Sequence, residues 1–249
     1  MSPFENQVSE GLLAYLTMME PITPVFHLAY MILFFRLILY ASWVRSPFEW
    51  FITANYAMFL FLPFGWLWNE LKAGRGLILS QRMPDHLPIW SYGGGFGFSG
   101  ISLAIMALVV YQWYQEARDP QNVYEFRHIP WWRWWVILVM AWGFFYPFYP
   151  FQGSHEFHFL GWTFPWRSPF GVLFAPTTTF FLGLLSLIFP RVNRQLFLVL
   201  SLAGLVVALH TFGISPFDLP MGIIAIFNLG LLFLTRHTRS SSLAPMTVL

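Results

Sequence analysis

Apolar residues run through this chain in long blocks, separated by short clusters of proline, glycine, arginine and histidine. A helix needs roughly 20 apolar residues to cross a bilayer. Seven blocks approach that length and predict spans at 25–44, 48–68, 96–114, 132–149, 169–189, 195–213 and 219–235. The first segment reads differently. Ser2 as N-cap, Pro3 at the first helical position and Glu5 closing a capping box mark a helix start. Phe4, Val8, Leu12, Tyr15, Leu16 and Met19 then share one face, which predicts an interfacial helix within 1–23, ended by Pro21 and Pro24. The expected fold class is therefore all-α: a polytopic transmembrane helix bundle of about seven spans plus an N-terminal interfacial helix, in one integral membrane domain covering 1–249.

The block from Ser168 to Phe189 carries no charge but contains Pro176 followed by Thr177, Thr178 and Thr179. A proline inside a helix removes one hydrogen bond, here to the carbonyl of Val172. In lipid that carbonyl must find another partner. The pattern predicts a kinked fifth span inside the bundle, with its hydroxyls turned toward other helices. The fourth block is the least regular, because Pro147 and Pro150 interrupt its far end. At its start Trp131, Trp132, Trp134 and Trp135 surround Arg133 and predict an interfacial anchor.

Composition sharpens this picture. Hydrophobic residues make up 57% of the chain and charged residues 10%, against about 25% charged in soluble domains. With no cysteine, thiol catalysis, thiolate zinc sites and disulfides are excluded. A net charge of +2 gives no reason to expect a nucleic-acid partner. Aromatics reach 21%, so many rings must pack between helices as well as at the interfaces. Glu5, Glu10 and Glu20, without lysine or arginine in the first twenty residues, lack a signal peptide's basic start, so the N-terminus is expected to be retained. Eight arginines fall on the side of the C-terminus and four basic residues, Lys72, Arg75, Arg82 and Arg167, on the other. The positive-inside rule then puts the C-terminus in the cytoplasm and the N-terminus outside. The tripeptide Ser-Pro-Phe, at Ser2, Ser46, Ser168 and Ser215, precedes predicted helices and reads as a repeated N-cap, or as a trace of duplication.

Three groups of residues are candidates for chemistry. Arg36 lies in the first span, about eight residues or roughly 12 Å from its end. An intramembrane arginine is costly and is a site candidate. Asn55, Ser201 and Asn228 fall at similar depth, and Arg36 is expected to bind the amide oxygens of Asn55 or Asn228 or carbonyls freed by a kink; the plainer alternative is that it snorkels to the headgroups. Arg36, Asn55, Pro176, Thr177, Thr178, Thr179 and Asn228 form the candidate ligand pocket. Histidines gather on the outer side: His27, His86, His155, His158 and His210, with Glu156 between two of them. They suit a divalent metal, or His27 and His210 a haem, against the plainer reading of interfacial histidines bonded to carbonyls or water. Gly95, Gly97 and Gly100 have dinucleotide-binding spacing in the wrong context, and read instead as close helix packing. Asp218 sits where a helix dipole favours a carboxylate. No catalytic residue emerges.

Phe170, Gly171, Ala175, Pro176, Thr177 and Thr178, with the segment Gly213 to Leu219, resemble an uncharacterised family of bacterial multi-pass membrane proteins, a domain of unknown function with a Pro-Thr-Thr motif in a late transmembrane helix. The likeness covers residues 145–235; the second proline usual in that motif is missing here. The resemblance implies a seven-span inner-membrane protein of unassigned activity. Three functions are thus expected: small-molecule binding or transport through a pocket at the kinked fifth span, a metal or haem protein, or an accessory subunit of a larger membrane complex. The expected partners are the lipid bilayer and a membrane protein or second copy.

Overall fold

The computed structural model describes residues 20–39, 41–61, 63–64, 96–119, 124, 126, 129–146, 148–150, 157–159, 168–211 and 218–241. The interfacial helix expected at the N-terminus lies outside these residues. Seven α-helices are described: α1 (Thr23–Leu39), α2 (Ala41–Phe59), α3 (Phe96–Arg118), α4 (Val136–Phe144), α5 (Phe174–Ile188), α6 (Arg194–Thr211) and α7 (Leu219–Ser241). A 3-10 turn leads into α1 and another, Trp131–Arg133, precedes α4. Among the described residues the architecture is all-α apart from one antiparallel ribbon, β1 (Phe148–Pro150) with β2 (Phe157–Phe159), which pairs Tyr149 with His158.

Helix α5 is the centre. Every residue in it except Ala175 is buried. Around it α1 packs on α2, α2 on α3, α3 on α6, α6 on α7 and α7 on α4. The ring closes where His27 of α1 meets the Phe144 ring of α4, at 4.9 Å. Phe181 of α5 is a hub, with its ring against Tyr30, Phe48, Tyr56, Trp113 and Phe170. Helix α4 comes close enough to α5 that a Cβ on Gly143 would stand 2.7 Å from the Phe180 nitrogen and the Pro176 oxygen, both backbone atoms.

The bundle encloses polar side chains within a largely apolar core, and its outward faces are apolar as well. The inward face of α1 carries Thr23, His27, Tyr30 and Leu37, while Val25, Leu28, Ile32, Phe35 and Leu39 point outward. The same holds on α7, where Asn228 is buried and Ile223, Ile226 and Phe233 are exposed. The enclosed polar side chains are satisfied because α5 and the turn before it offer them hydroxyls and carbonyls.

Three expectations need correction, and the transmembrane spans find no support. Among the described residues no helix is long and apolar enough to cross a membrane. At 15 residues, α5 spans about 22 Å, against about 30 Å of hydrocarbon, and α2 and α3 carry Glu49 and Glu116 inside their lengths. Ser46 does not cap a helix: α2 begins at Ala41 and Pro47 lies within it. Ser168 shapes a turn six residues ahead of α5. Gly100 does not serve close packing, since a Cβ there would meet nothing within 4 Å.

Candidate functional site

Among the described residues a dense polar cluster surrounds the turn Ser168–Leu173, which is non-helical and almost wholly buried. Pro169 starts it, and its carbonyl accepts the N–H groups of Val172 and Leu173 at 3.0 and 2.7 Å. Gly171 adopts φ +78°, a left-handed conformation that favours glycine. Such a turn leaves carbonyls that cannot be shared along a helix, and neighbouring helices take them. The Nε2 of His27 donates to the Ser168 carbonyl at 3.0 Å. The Nδ2 of Asn55 donates to the Gly171 carbonyl at 2.6 Å, and Tyr30 donates to Asn55 Oδ1 at 2.8 Å. Ser168 Oγ donates to the Phe144 carbonyl at the end of α4, 3.0 Å away.

Thr177 completes the turn. Its Oγ1 accepts the Gly171 N–H at 2.8 Å and donates to the Leu173 carbonyl at 2.6 Å. Thr178 pairs with the Tyr56 hydroxyl at 3.1 Å, and Thr179 donates to the Ala175 carbonyl at 2.8 Å. Pro176 does not kink α5. It stands in the first turn, where a missing N–H is one of those with no intrahelical partner in any case. The Val172 carbonyl is therefore not released by a broken helix; the expected kink is a helix start.

Two further stations hold α5 along its length. Asn228 of α7 donates through Nδ2 to the Leu182 carbonyl at 3.2 Å and accepts a short hydrogen bond from Ser186 Oγ. At the far end Arg133 is buried, and its Nη1 donates to the carbonyls of Ser186 and Phe189 at 3.1 and 2.6 Å. A cation is favoured there, because the last carbonyls of a helix carry partial negative charge.

The proposed pocket residues thus divide. Asn55, Pro176, Thr177 and Thr178 come together at the turn; Thr179 lies on the same helix, bonded within it. Asn228 belongs to the middle of α5. Arg36 joins neither: it is exposed in the last turn of α1, three residues from the helix end. Both amides expected to bind it are engaged elsewhere. The depth error arose from the first span's boundary, since α1 ends at Leu39 rather than 44.

Among the candidate metal ligands, the side chain of His27 is described, and its Nε2 hydrogen is directed at a carbonyl, which prevents that nitrogen from ligating. His86, His155 and Glu156 lie outside the described residues, as do the side chains of His158 and His210. Among the described residues no three histidine, aspartate or glutamate side chains cluster to hold a metal. Asp218 accepts from the Tyr146 hydroxyl at 3.2 Å, at the start of α7. The functions of His27, Tyr30 and Arg133 as pins on α5 were not visible in the sequence. Neither was the burial of Glu49, Gln112 and Glu116; Glu116 lies past the expected end at 114, in a helix that runs on to Arg118.

No family model matches the chain, and no curated protein and no solved structure matches it.

Proposed function

We propose that this chain is a polytopic membrane protein of the bacterial inner membrane, a closed non-enzymatic scaffold built on α5 that serves as an accessory subunit of a larger membrane assembly. The outward apolar faces carry the reading. Every described helix except α5 exposes large apolar side chains, among them Phe35, Leu108, Leu138, Leu202 and Phe233, while Asn55, Thr177, Asn228 and Arg133 are enclosed. A soluble monomer seldom exposes contiguous apolar surface on this scale; lipid and partner helices cover it without cost. The buried turn ahead of α5 fits the same setting, since non-helical backbone at membrane depth is tolerated where protein side chains satisfy it. The exposed tryptophans at 131, 132, 134 and 135 suit a headgroup layer or a partner's helix ends.

The transport reading loses its supports, since Pro176 makes no kink, Thr177 to Thr179 are all bonded and Arg36 faces out. Alkaline carbonate washing of membranes from cells expressing the chain tests the embedding. Retention in the pellet is expected; release into the supernatant as a monodisperse monomer rejects it. Extraction from native membranes in mild detergent tests the subunit role. A particle larger than one 29.1 kDa chain with its micelle is expected, and a lone monomer rejects that role.

A further inference from the structure

Arg133, in the 3-10 turn ahead of α4, is a charged group enclosed to 8% exposure. Its Nη1 spends its hydrogens on the Ser186 and Phe189 carbonyls at the end of α5, and the guanidinium lies over the Trp132 ring, 4.8 Å from the centroid. Nε has no hydrogen-bond partner. Among the described residues Nη2 is neither bonded nor enclosed, and no carboxylate pairs with Arg133. Carbonyls satisfy hydrogen bonds but do not neutralise a charge, and an enclosed charge ordinarily has a counter-ion. Nε with Nη2 is the edge on which arginine takes an oxoanion through two hydrogen bonds. The surroundings indicate which anion. Trp131 and Trp134, the second and first neighbours of Arg133, are exposed, and Trp132 and Trp135 lean on Phe227 of α7 at 6.0 and 5.0 Å. Tryptophans gathered in this way sit at the level of lipid headgroups. Arg191, whose N–H donates to the Ile188 carbonyl at 3.0 Å, is exposed at the same end, as is Arg194, which reaches Thr235 of α7 at 3.3 Å.

We propose that Arg133 binds the headgroup phosphate of an anionic phospholipid where the start of α4, the end of α5 and α7 meet. The phosphate approaches along Nη2 and takes the Nε–Nη2 edge. It accounts at once for the orphaned Nε and for the missing counter-ion. Arg191 and Arg194 raise the positive potential of this end, which selects a lipid of net negative charge over a zwitterionic one carrying the same phosphate. The inference rests on the membrane reading above. On its sidedness the site faces the cytoplasmic leaflet, whose anionic lipids favour basic pockets between helices.

The test is thermal unfolding of the purified full-length chain, delipidated in an uncharged detergent. Phosphatidylglycerol is titrated in as mixed micelles, with phosphatidylcholine at the same mole fraction and sodium phosphate as separate arms. Phosphatidylglycerol is expected to raise the midpoint saturably, by about 3–5 °C beyond phosphatidylcholine at tenfold above half-saturation. Sodium phosphate is expected to give no such rise; an equal rise makes this a site for free phosphate and overturns the lipid. Arg133→Met is expected to abolish the difference between the two lipids. Arg133→Lys, which keeps the charge but lacks the two-nitrogen edge, is expected to move half-saturation to several-fold more lipid. No difference between the lipids overturns the proposal, as does an unchanged difference in Arg133→Met. Should Arg133→Met not fold, an unchanged half-saturation in Arg133→Lys overturns it alone. Carbonate washing keeps the two readings apart: a chain released from membranes fails the membrane reading, whereas a retained chain indifferent to phosphatidylglycerol fails only this proposal.

Discussion

Single residues in this bundle act mostly by what they offer to another backbone. Asn55 satisfies the Gly171 carbonyl and the Tyr30 hydroxyl together. Asn55→Leu leaves both buried without partners and is expected to destabilise by about 2–4 kcal/mol, read as a lowered melting midpoint in detergent. Glycines separate by their surroundings. At Gly143 an added methyl meets backbone on α5, which cannot turn aside, so Gly143→Ala should cost about 1–3 kcal/mol. At Gly100 the same methyl meets open space, and Gly100→Ala should be neutral or stabilising by up to about 1 kcal/mol. If both substitutions behave alike, the close approach of α4 to α5 is wrong.

At the scale of the element, α5 is held at its start, middle and end by different neighbours. Its start is a turn locked by Thr177, not a kink, and this makes a prediction opposite to the one the sequence suggests. Pro176→Ala restores a buried N–H where no intrahelical acceptor waits, and should cost about 1–3 kcal/mol instead of stabilising the helix. A proline-kinked interior helix would straighten and shift its packing; cysteine cross-linking between α5 and its neighbours, identical before and after the substitution, distinguishes the two. Arg133→Met keeps the side-chain volume but strips the Ser186 and Phe189 carbonyls of their donor. A loss of about 1–3 kcal/mol is expected, with faster proteolysis at the α5–α6 junction.

For the whole molecule, the outward faces decide the environment. Leu202 of α6 is exposed. In a membrane, Leu202→Arg is expected to cost about 2.5–3.5 kcal/mol on insertion and to reduce the membrane-bound yield. In a water-exposed protein the same change would raise solubility, so the direction of the effect chooses between the settings. Sidedness is open to a clean test because the chain has no cysteine. With the N-terminus outside, a membrane-impermeant thiol reagent should label Ser80→Cys in intact cells and Ser242→Cys only after permeabilisation. The reverse pattern would overturn the positive-inside assignment.

Much of this was legible in the residues themselves. Seven apolar blocks mark seven helices, and the uncharged stretch through Pro176 marks the one enclosed by the others, because a run that is apolar all round must be covered all round. Boundaries were less legible: Ser46 and Pro47 look like a helix start, yet α2 begins at Ala41, since the helix accommodates Pro47 within its first two turns. Partnership was not legible at all. Asn55 and Asn228 look equivalent by depth, but one closes a turn before α5 and the other bonds Ser186, because hydrogen bonding is decided by distances of a fraction of an ångström between segments more than 40 residues apart. Local chemistry was enough to specify helix, apolar surface and the central element. Which polar group answers which carbonyl, and that Arg36 answers none of the two amides, depended on how the six surrounding helices rotate about α5.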